Sequence, residues 1–373
     1  MTTERENLFH LVQYAADHVW NTQAIDYAKV MARFFDSGSQ WEKAEVIQRR
    51  ALEIALNLEL PQAVAQARLD LSVAQWRTGQ IRTALANAAE ARDISHRLRD
   101  PMWEALALDQ IGLVHWSVSD YREAHAYFGV ALDIHRDVGD SHGKAESLNH
   151  LGLCLAQTGR RHEALGVFQD ALDICRAIGD VRAEATTWSN FAHTFLELGY
   201  HHDAYDCLQK SWDTYRTLPG RRNKAILMNN FGDVARYRFQ LNAALRSYRE
   251  ALSEFSASYD RFNESNALNN IGLTLSDMEK YNEALIHHKM AMSIAEEIES
   301  TGEKIRAQLG IAKTDFGMGR YSRAAENLED GRRLARHISD PCGPPPTGDN
   351  RPGRLLARPL PRLASMGRLR HGR

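Results

Sequence analysis

Cysteine is scarce in this chain of 373 residues, and none of Cys154, Cys175, Cys207 and Cys342 stands at the close paired spacing that binds a metal. The first three fall inside helical patterns, where cysteine acts as a small apolar filler, and a reducing cytoplasm suits them. No uninterrupted apolar stretch approaches membrane-spanning length, and residues 1–7 are polar and acidic without the apolar heart of a signal peptide. The chain therefore reads as cytoplasmic and unanchored. Strand-like alternation is also missing, which excludes propeller blades with their four strands per repeat.

Catalytic signatures are absent too. No Ser/His/Asp ordering, HExxH helix or nucleophile elbow occurs. The nearest phosphate loop, Gly139 to Ala145, is one residue short and lacks the Ser/Thr that would touch magnesium, so it reads as a junction between helices. The pairs His201-His202 and His287-His288 have no third ligand at helical spacing and read as surface histidines. No enzyme activity, cofactor or metal is expected. The formal charge of −2 conceals a tail after Pro341 with seven arginines and one acid, Asp349, so the rest of the chain carries −8. An acidic body without interleaved basic residues is not expected to bind nucleic acid, and its tryptophans at helix-packing phases read as core.

What the chain has is a beat. Ala44, Ala84, Ala124, Ala164, Ala204, Ala244, Ala284 and Ala324 stand forty residues apart without insertion or deletion. In the same phase runs Ala32, Ser72, Gly112, Gly152, Ala192, Gly232, Gly272 and Ala312, and a third small column runs from Ala51 to Gly331. Each unit holds two helical patterns; in the third, Trp103 to His115 is followed by Tyr121 to Ile134. Gly79, Gly159, Gly199 and Gly319 mark the turn within a unit, while Gly139-Asp140 and Gly179-Asp180 mark junctions as C-cap followed by N-cap. Phe239 and Glu279 break the turn column, and Pro219-Gly220 replaces a junction, so the sixth unit is expected to pack at its own angle. Small residues at the crossings let the helices approach closely.

The order Leu-x-x-Ile/Leu-Gly, then an aromatic, then two alanines resembles the tetratricopeptide repeat (TPR), here lengthened to forty residues. The resemblance covers residues 22–340 and implies an all-α fold, a right-handed superhelical solenoid of eight helical hairpins. Residues 1–21 are expected to form a capping helix through Leu8, Leu11, Val12, Ala15, Ala16 and Val19. Residues 341–373, rich in Arg, Pro and Gly, are expected to be disordered, and their abrupt start at a repeat boundary reads as a shifted reading frame, the alternative being an arginine tail that touches nucleic acid or an acidic partner.

In such a solenoid the first helices line the concave face, so a polar residue recurring once per unit becomes a spaced row. Gln110, His150, Asn190, Asn230 and Asn270 form one row; Asp109, Asn149, Ser189, Asn229 and Asn269 form its neighbour. An amide offers donors and an acceptor, the complement of an extended peptide backbone. The alternative role for these asparagines is to tie adjacent repeats together. The segments ALNNIG (267–272), SLNHLG (147–152) and MNNFG (228–232) are similar to those of kinesin light chain and Pins/LGN-type adaptors, which implies peptide binding in the groove. The start of the chain and the unit from Val130 to Gly152 resemble the C-terminal TPR region of AfsR-like STAND regulators of bacteria. That implies a sensor or partner-binding role in signalling or transcription regulation, in association with an NB-ARC-type regulator. Neither a phosphate loop nor a winged helix is present to carry over ATPase or promoter binding. A receptor for a small signalling peptide, of the Rap/PlcR type, is the alternative.

Overall fold

The computed structural model describes residues 21–38, 41–218 and 221–339. The expected N-terminal cap and the arginine-rich tail lie outside these residues. Sixteen helices pair into eight hairpins among the described residues, each with a first helix (A) and a second (B). Repeats 1 to 4 comprise α1 (Asn21–Gly38) with α2 (Trp41–Asn57), α3 (Pro61–Arg77) with α4 (Ile81–Arg97), α5 (Pro101–Ser117) with α6 (Tyr121–Asp137), and α7 (Ser141–Gln157) with α8 (Arg161–Ile178). Repeats 5 to 8 comprise α9 (Val181–Leu198) with α10 (His201–Tyr215), α11 (Arg222–Tyr237) with α12 (Leu241–Ala257), α13 (Arg261–Asp277) with α14 (Tyr281–Glu297), and α15 (Thr301–Gly317) with α16 (Tyr321–Ser339).

The forty-residue beat resolves into twenty. Residues 59, 79, 99, 119, 139, 159, 179, 199, 239, 259, 279, 299 and 319 all have positive φ, one after each helix they follow. Each lets the next backbone N–H fold back onto the helix it leaves, as Gln80 does to the Gln75 carbonyl at 2.8 Å. This is the six-to-one closure of a Schellman cap. Phe239 (φ 59) and Glu279 (φ 63), which break the glycine column, adopt the same left-handed turn as the glycines. The turn demands the angle and tolerates a side chain at the cost of strain. After it, Asp100, Asp120, Asp140, Asp180 and Asp260 accept hydrogen bonds from N–H groups of the helix that follows, capping four junctions between repeats and the turn within repeat 3.

Within a hairpin the packing is set by a pair sixteen residues apart. A Cβ added to Gly112, Gly152, Gly232 or Gly272 would stand 2.6, 2.4, 2.6 or 2.7 Å from a ring atom of Phe128, Phe168, Tyr248 or His288. Where the residue sixteen on is Ala88, Leu208 or Leu328, the A helix carries Ser72, Ala192 or Ala312 instead. The small column is therefore a record of which partner is a ring. His288 is fully buried at this position, so it is a core residue and not the surface histidine expected from the sequence. Burial is what displaces it: the B-helix position it occupies elsewhere holds Phe128, Phe168 and Tyr248, all fully buried. At the atypical junction α10 stops at Tyr215, and Leu218 joins the apolar cluster of Leu208 and Leu227, so the core runs through.

Candidate functional site

The A helices wind round a central channel of about 1130 Å³ lined from Trp76 in repeat 2 to Ala335 in repeat 8. Its polar lining includes eight asparagines, Asn149, Asn190, Asn229, Asn230, Asn263, Asn266, Asn269 and Asn270, with His150 and Ser189 beside them, alongside charged groups from several repeats. Asp109 and Gln110 are not among the lining residues. Of the two rows read from the sequence, one is buried between neighbouring A helices, with Asp109, Asn149, Ser189, Asn229 and Asn269 between 5% and 9% exposed. His150, Asn190, Asn230 and Asn270 are half-buried, whereas Gln110 is buried.

The rows are joined across the repeats. Asn190 Nδ2 donates to Asn149 Oδ1 at 3.4 Å, Asn230 Nδ2 to Ser189 Oγ at 3.1 Å, and Asn270 Nδ2 to Asn229 Oδ1 at 3.4 Å. Each half-buried amide thus gives an N–H to the buried row of the preceding repeat. Asn149 in turn donates forward to Thr187 Oγ1 at 2.8 Å, and Gln110 donates back to Ser72 Oγ at 3.3 Å. The side-chain Oδ1 atoms of Asn190, Asn230 and Asn270 accept no hydrogen bond within the described residues, which leaves them free as acceptors on residues that line the channel.

At repeats 3 and 4 the row changes chemistry. His135 is fully buried, its Nε2 3.1 Å from Asp109 Oδ2 and its Nδ1 2.9 Å from Asp140 Oδ2. Burial works against an imidazolium there, yet the two carboxylates outweigh it and raise the His135 pKa. Ser147 donates to Asp109 at 2.9 Å, and His150 packs on Phe128 with ring centroids 4.7 Å apart. A Cβ at Gly143 would lie 2.2 Å from the His135 ring, so this glycine of the near-phosphate loop makes room for the imidazole.

Charges in the channel are largely matched. Arg161 meets Glu197 at 2.9 Å, Arg222 meets Asp260 at 2.8 Å, and Asp277 takes both Lys313 at 2.6 Å and Arg236 at 3.4 Å. Tyr248 donates to Asp233 at 2.8 Å, and burial together with that carboxylate pushes its phenol well above its ordinary pKa. Arg306 lies in the field of Glu303, Tyr121, Glu197 and Asp233, groups from repeats 8, 3, 5 and 6, which hold it charged against its burial. Trp76 and Trp116, read from the sequence as core, also line the channel. Their phase is a packing phase; the curvature that brings them to the channel is not written in any single repeat. Among the described residues no cluster of His, Cys, Asp and Glu could hold a metal ion, and no helix is long and apolar enough to cross a membrane.

A family model of the tetratricopeptide repeat matches residues 102–177, 183–253 and 263–337, together more than half of the chain. The chain belongs to the tetratricopeptide repeat family. No curated protein matches the sequence significantly. Among solved structures this TPR chain is similar to a Rap protein complexed with competence and sporulation factor, at 16% identity and TM-score 0.62, covering 85% of this chain and 89% of that one. It is similar also to the Rap conjugation gene regulator of plasmid pLS20 in complex with the Phr* peptide, at 12% identity and TM-score 0.62, over 90% and 96% of the two chains. The anaphase-promoting-complex hetero-tetramer Cut9-Hcn1 matches at 14% identity and TM-score 0.57, over 88% of this chain and 57% of that one. At these identities the likeness is one of fold.

Proposed function

We propose that this TPR protein is a non-catalytic scaffold that binds an extended peptide, free or as a segment of a partner protein, in its central channel. The observation that carries the reading is the row of Asn190, Asn230 and Asn270, channel-lining residues that each have one N–H tied to the preceding repeat and a side-chain oxygen without a hydrogen-bond donor among the described residues. A helices pack roughly 8–10 Å apart, and an extended chain advances about 3.3 Å per residue, so one rung meets roughly every third peptide residue. Such spacing holds backbone N–H groups and asks little of the peptide's sequence.

The biological setting that fits is the sensor or partner-binding part of a bacterial regulatory system in the cytoplasm, alongside an NB-ARC-type regulator. The second reading, a receptor for a small signalling peptide, is favoured by the fit of two Rap structures, one complexed with competence and sporulation factor and one with the Phr* peptide, over 85% and 90% of the chain. Buried free thiols at Cys154, Cys175 and Cys207 agree with a reducing compartment. The acidic body gives no footprint for nucleic acid.

The test is capture of a pool of random-sequence ten-residue peptides by immobilised protein, read by mass spectrometry. Asn190→Ala, Asn230→Ala and Asn270→Ala together should abolish capture with helicity unchanged. Ser189→Ala, which removes a tie between repeats but leaves the Asn230 carbonyl, should retain it. Equal capture by the triple variant and the wild type would remove the amide row from the site.

A further inference from the structure

The solenoid meets itself. Ser300 Oγ donates to the carbonyl of Ser117 at 3.0 Å, across 183 residues of sequence. Around that bond Arg82 pairs with Glu299 at 3.4 Å, and Trp116 packs against Phe262 with ring centroids 5.8 Å apart. The turns that end α3 and α5 thus rest on the junction between repeats 7 and 8, and the channel is enclosed by a ring of repeats.

Comparison with equivalent positions marks this seam as a built contact. Ile298 is 4% exposed, while Leu58, Val138 and Ile178 at the same phase of other junctions are 39–42% exposed. Ser119 is buried at a turn position that is exposed at Gly159, Gly199, Phe239, Glu279 and Gly319. The position of Gly302 carries Gln62, Met102, His142, Arg182, Arg222 and Phe262 in the other described repeats from the second onward. A Cβ on Gly302 would stand 1.9 Å from Ser119 Oγ, and one on Gly79 2.7 Å from Ile298 Cγ2. Gly302 has an ordinary helical backbone, so the approach of the other edge is the reason it lacks a side chain. Inside the seam Glu303 is 2% exposed, with Oε2 lacking any hydrogen bond and burial raising its pKa.

We propose that this seam is a latch: it closes the ring round the occupant of the channel, and it must part for anything bulkier than a narrow chain end to reach the asparagine row. The contacts are few, one hydrogen bond, one exposed ion pair, one tilted ring pair and Ile298 seated on Gly79, against the continuous apolar packing between successive hairpins. A partner is therefore taken as an extended strand surrounded by the ring. This choice of ligand shape rests on the peptide reading above, whereas the latch itself does not.

The experiment locks the latch. The ideal Cβ of Gly302 lies 3.2 Å from Ser119 Cβ, a few tenths of an ångström short of the disulfide range and within reach of a small backbone adjustment, so Ser119→Cys with Gly302→Cys, in a Cys342→Ser background, should cross-link on mild oxidation. Asn230→Cys is added as a reporter in the channel; Cys154, Cys175 and Cys207 are buried and silent. Oxidation should leave modification of the reporter by N-ethylmaleimide unchanged and slow a maleimide on a 5-kDa polyethylene glycol by about tenfold or more, restored by reduction. Failure to cross-link at native helicity would mean that the ring is open in solution. Equal rates for the bulky reagent in both states would mean that the seam gates nothing. Either result overturns the latch, and neither depends on whether peptides are captured.

Discussion

The pairing of glycine with a ring sixteen residues on can be tested at Gly152 and Phe168. An alanine Cβ at 152 would lie 2.4, 2.7 and 2.8 Å from three carbons of the Phe168 ring. Ordinary carbon contacts are about 3.5–4.0 Å, so the overlap is near 1 Å at each. Phe168 is fully buried and packed against Phe191, so it has nowhere to turn. Overpacking of this kind costs about 1–3 kcal/mol, and the overlap at three atoms places it at the upper end. Alanine's better helix propensity returns about 1 kcal/mol, leaving Gly152→Ala destabilised by roughly 2 kcal/mol. Phe168→Leu alone removes part of a buried ring and should cost about 1–2 kcal/mol. The double variant recreates the native pair Ala192 and Leu208, so it should be more stable than the sum of the single losses by about 2 kcal/mol. Urea midpoints followed by circular dichroism give the cycle. Gly166→Ala, with nothing within 4 Å of its added Cβ, is the control and should stabilise the helix. Additive single losses, or a control as damaged as Gly152→Ala, would refute the pairing.

Two further outcomes follow from backbone and charge. Gly139 has φ 75 and open space round its Cβ position, so Gly139→Ala should lose about 1 kcal/mol from backbone strain alone, and Glu279→Gly should gain about as much, both read from thermal midpoints. Burial, with Lys313 and His287 adding to it, holds His288 neutral with its pKa down at about 3. The unfolded chain takes up that proton at about pH 6.5, so stability should fall as pH drops from there towards 3. His288→Phe, matching Phe128 and Phe168, should flatten that slope in melts across the same range, whatever its effect at neutral pH. His135 acts in the opposite sense: its raised pKa stabilises the fold below about pH 6.5, and the benefit is lost as pH rises through the folded value. His135→Gln should therefore be more damaging at pH 6 than at pH 9 in the same melts.

Repeat length, helix pairing and the position of the amide rows were legible because each is a local rule repeated in phase. The helix ends were legible where glycine marks them and obscured at Phe239 and Glu279, since the cap needs a positive φ and glycine is only its easiest source. The depth of the rows is not legible within one repeat. Asn149, Asn229 and Asn269 sit one residue before the half-buried amides and lie 5–8% exposed, because adjacent A helices close over that phase. His288 showed its core role only through Gly272 sixteen residues earlier, a pairing visible in the sequence once the rings are set beside the glycines. The seam left a single local trace, the missing side chain at Gly302. Which residues meet across a superhelical turn depends on small rotations summed over five repeats, and no repeat carries that sum.

Tying the repeats together does not compete with the ligand-holding role proposed for the asparagines. An amide with one N–H already bonded to the preceding repeat has lost its freedom to rotate, so its carbonyl is oriented before a peptide arrives and little ordering remains to oppose binding. Asn190, Asn230 and Asn270 share this arrangement. Gln110 has the tie but is buried, and His150 stands 3.9 Å from Asp109, too far for a hydrogen bond. On the proposed reading, the pre-oriented side-chain carbonyls lie in repeats 5 to 7 and would set the register of an extended chain there, with repeat 7 also contributing Phe262 to the seam that joins repeats 2 and 3 to repeats 7 and 8.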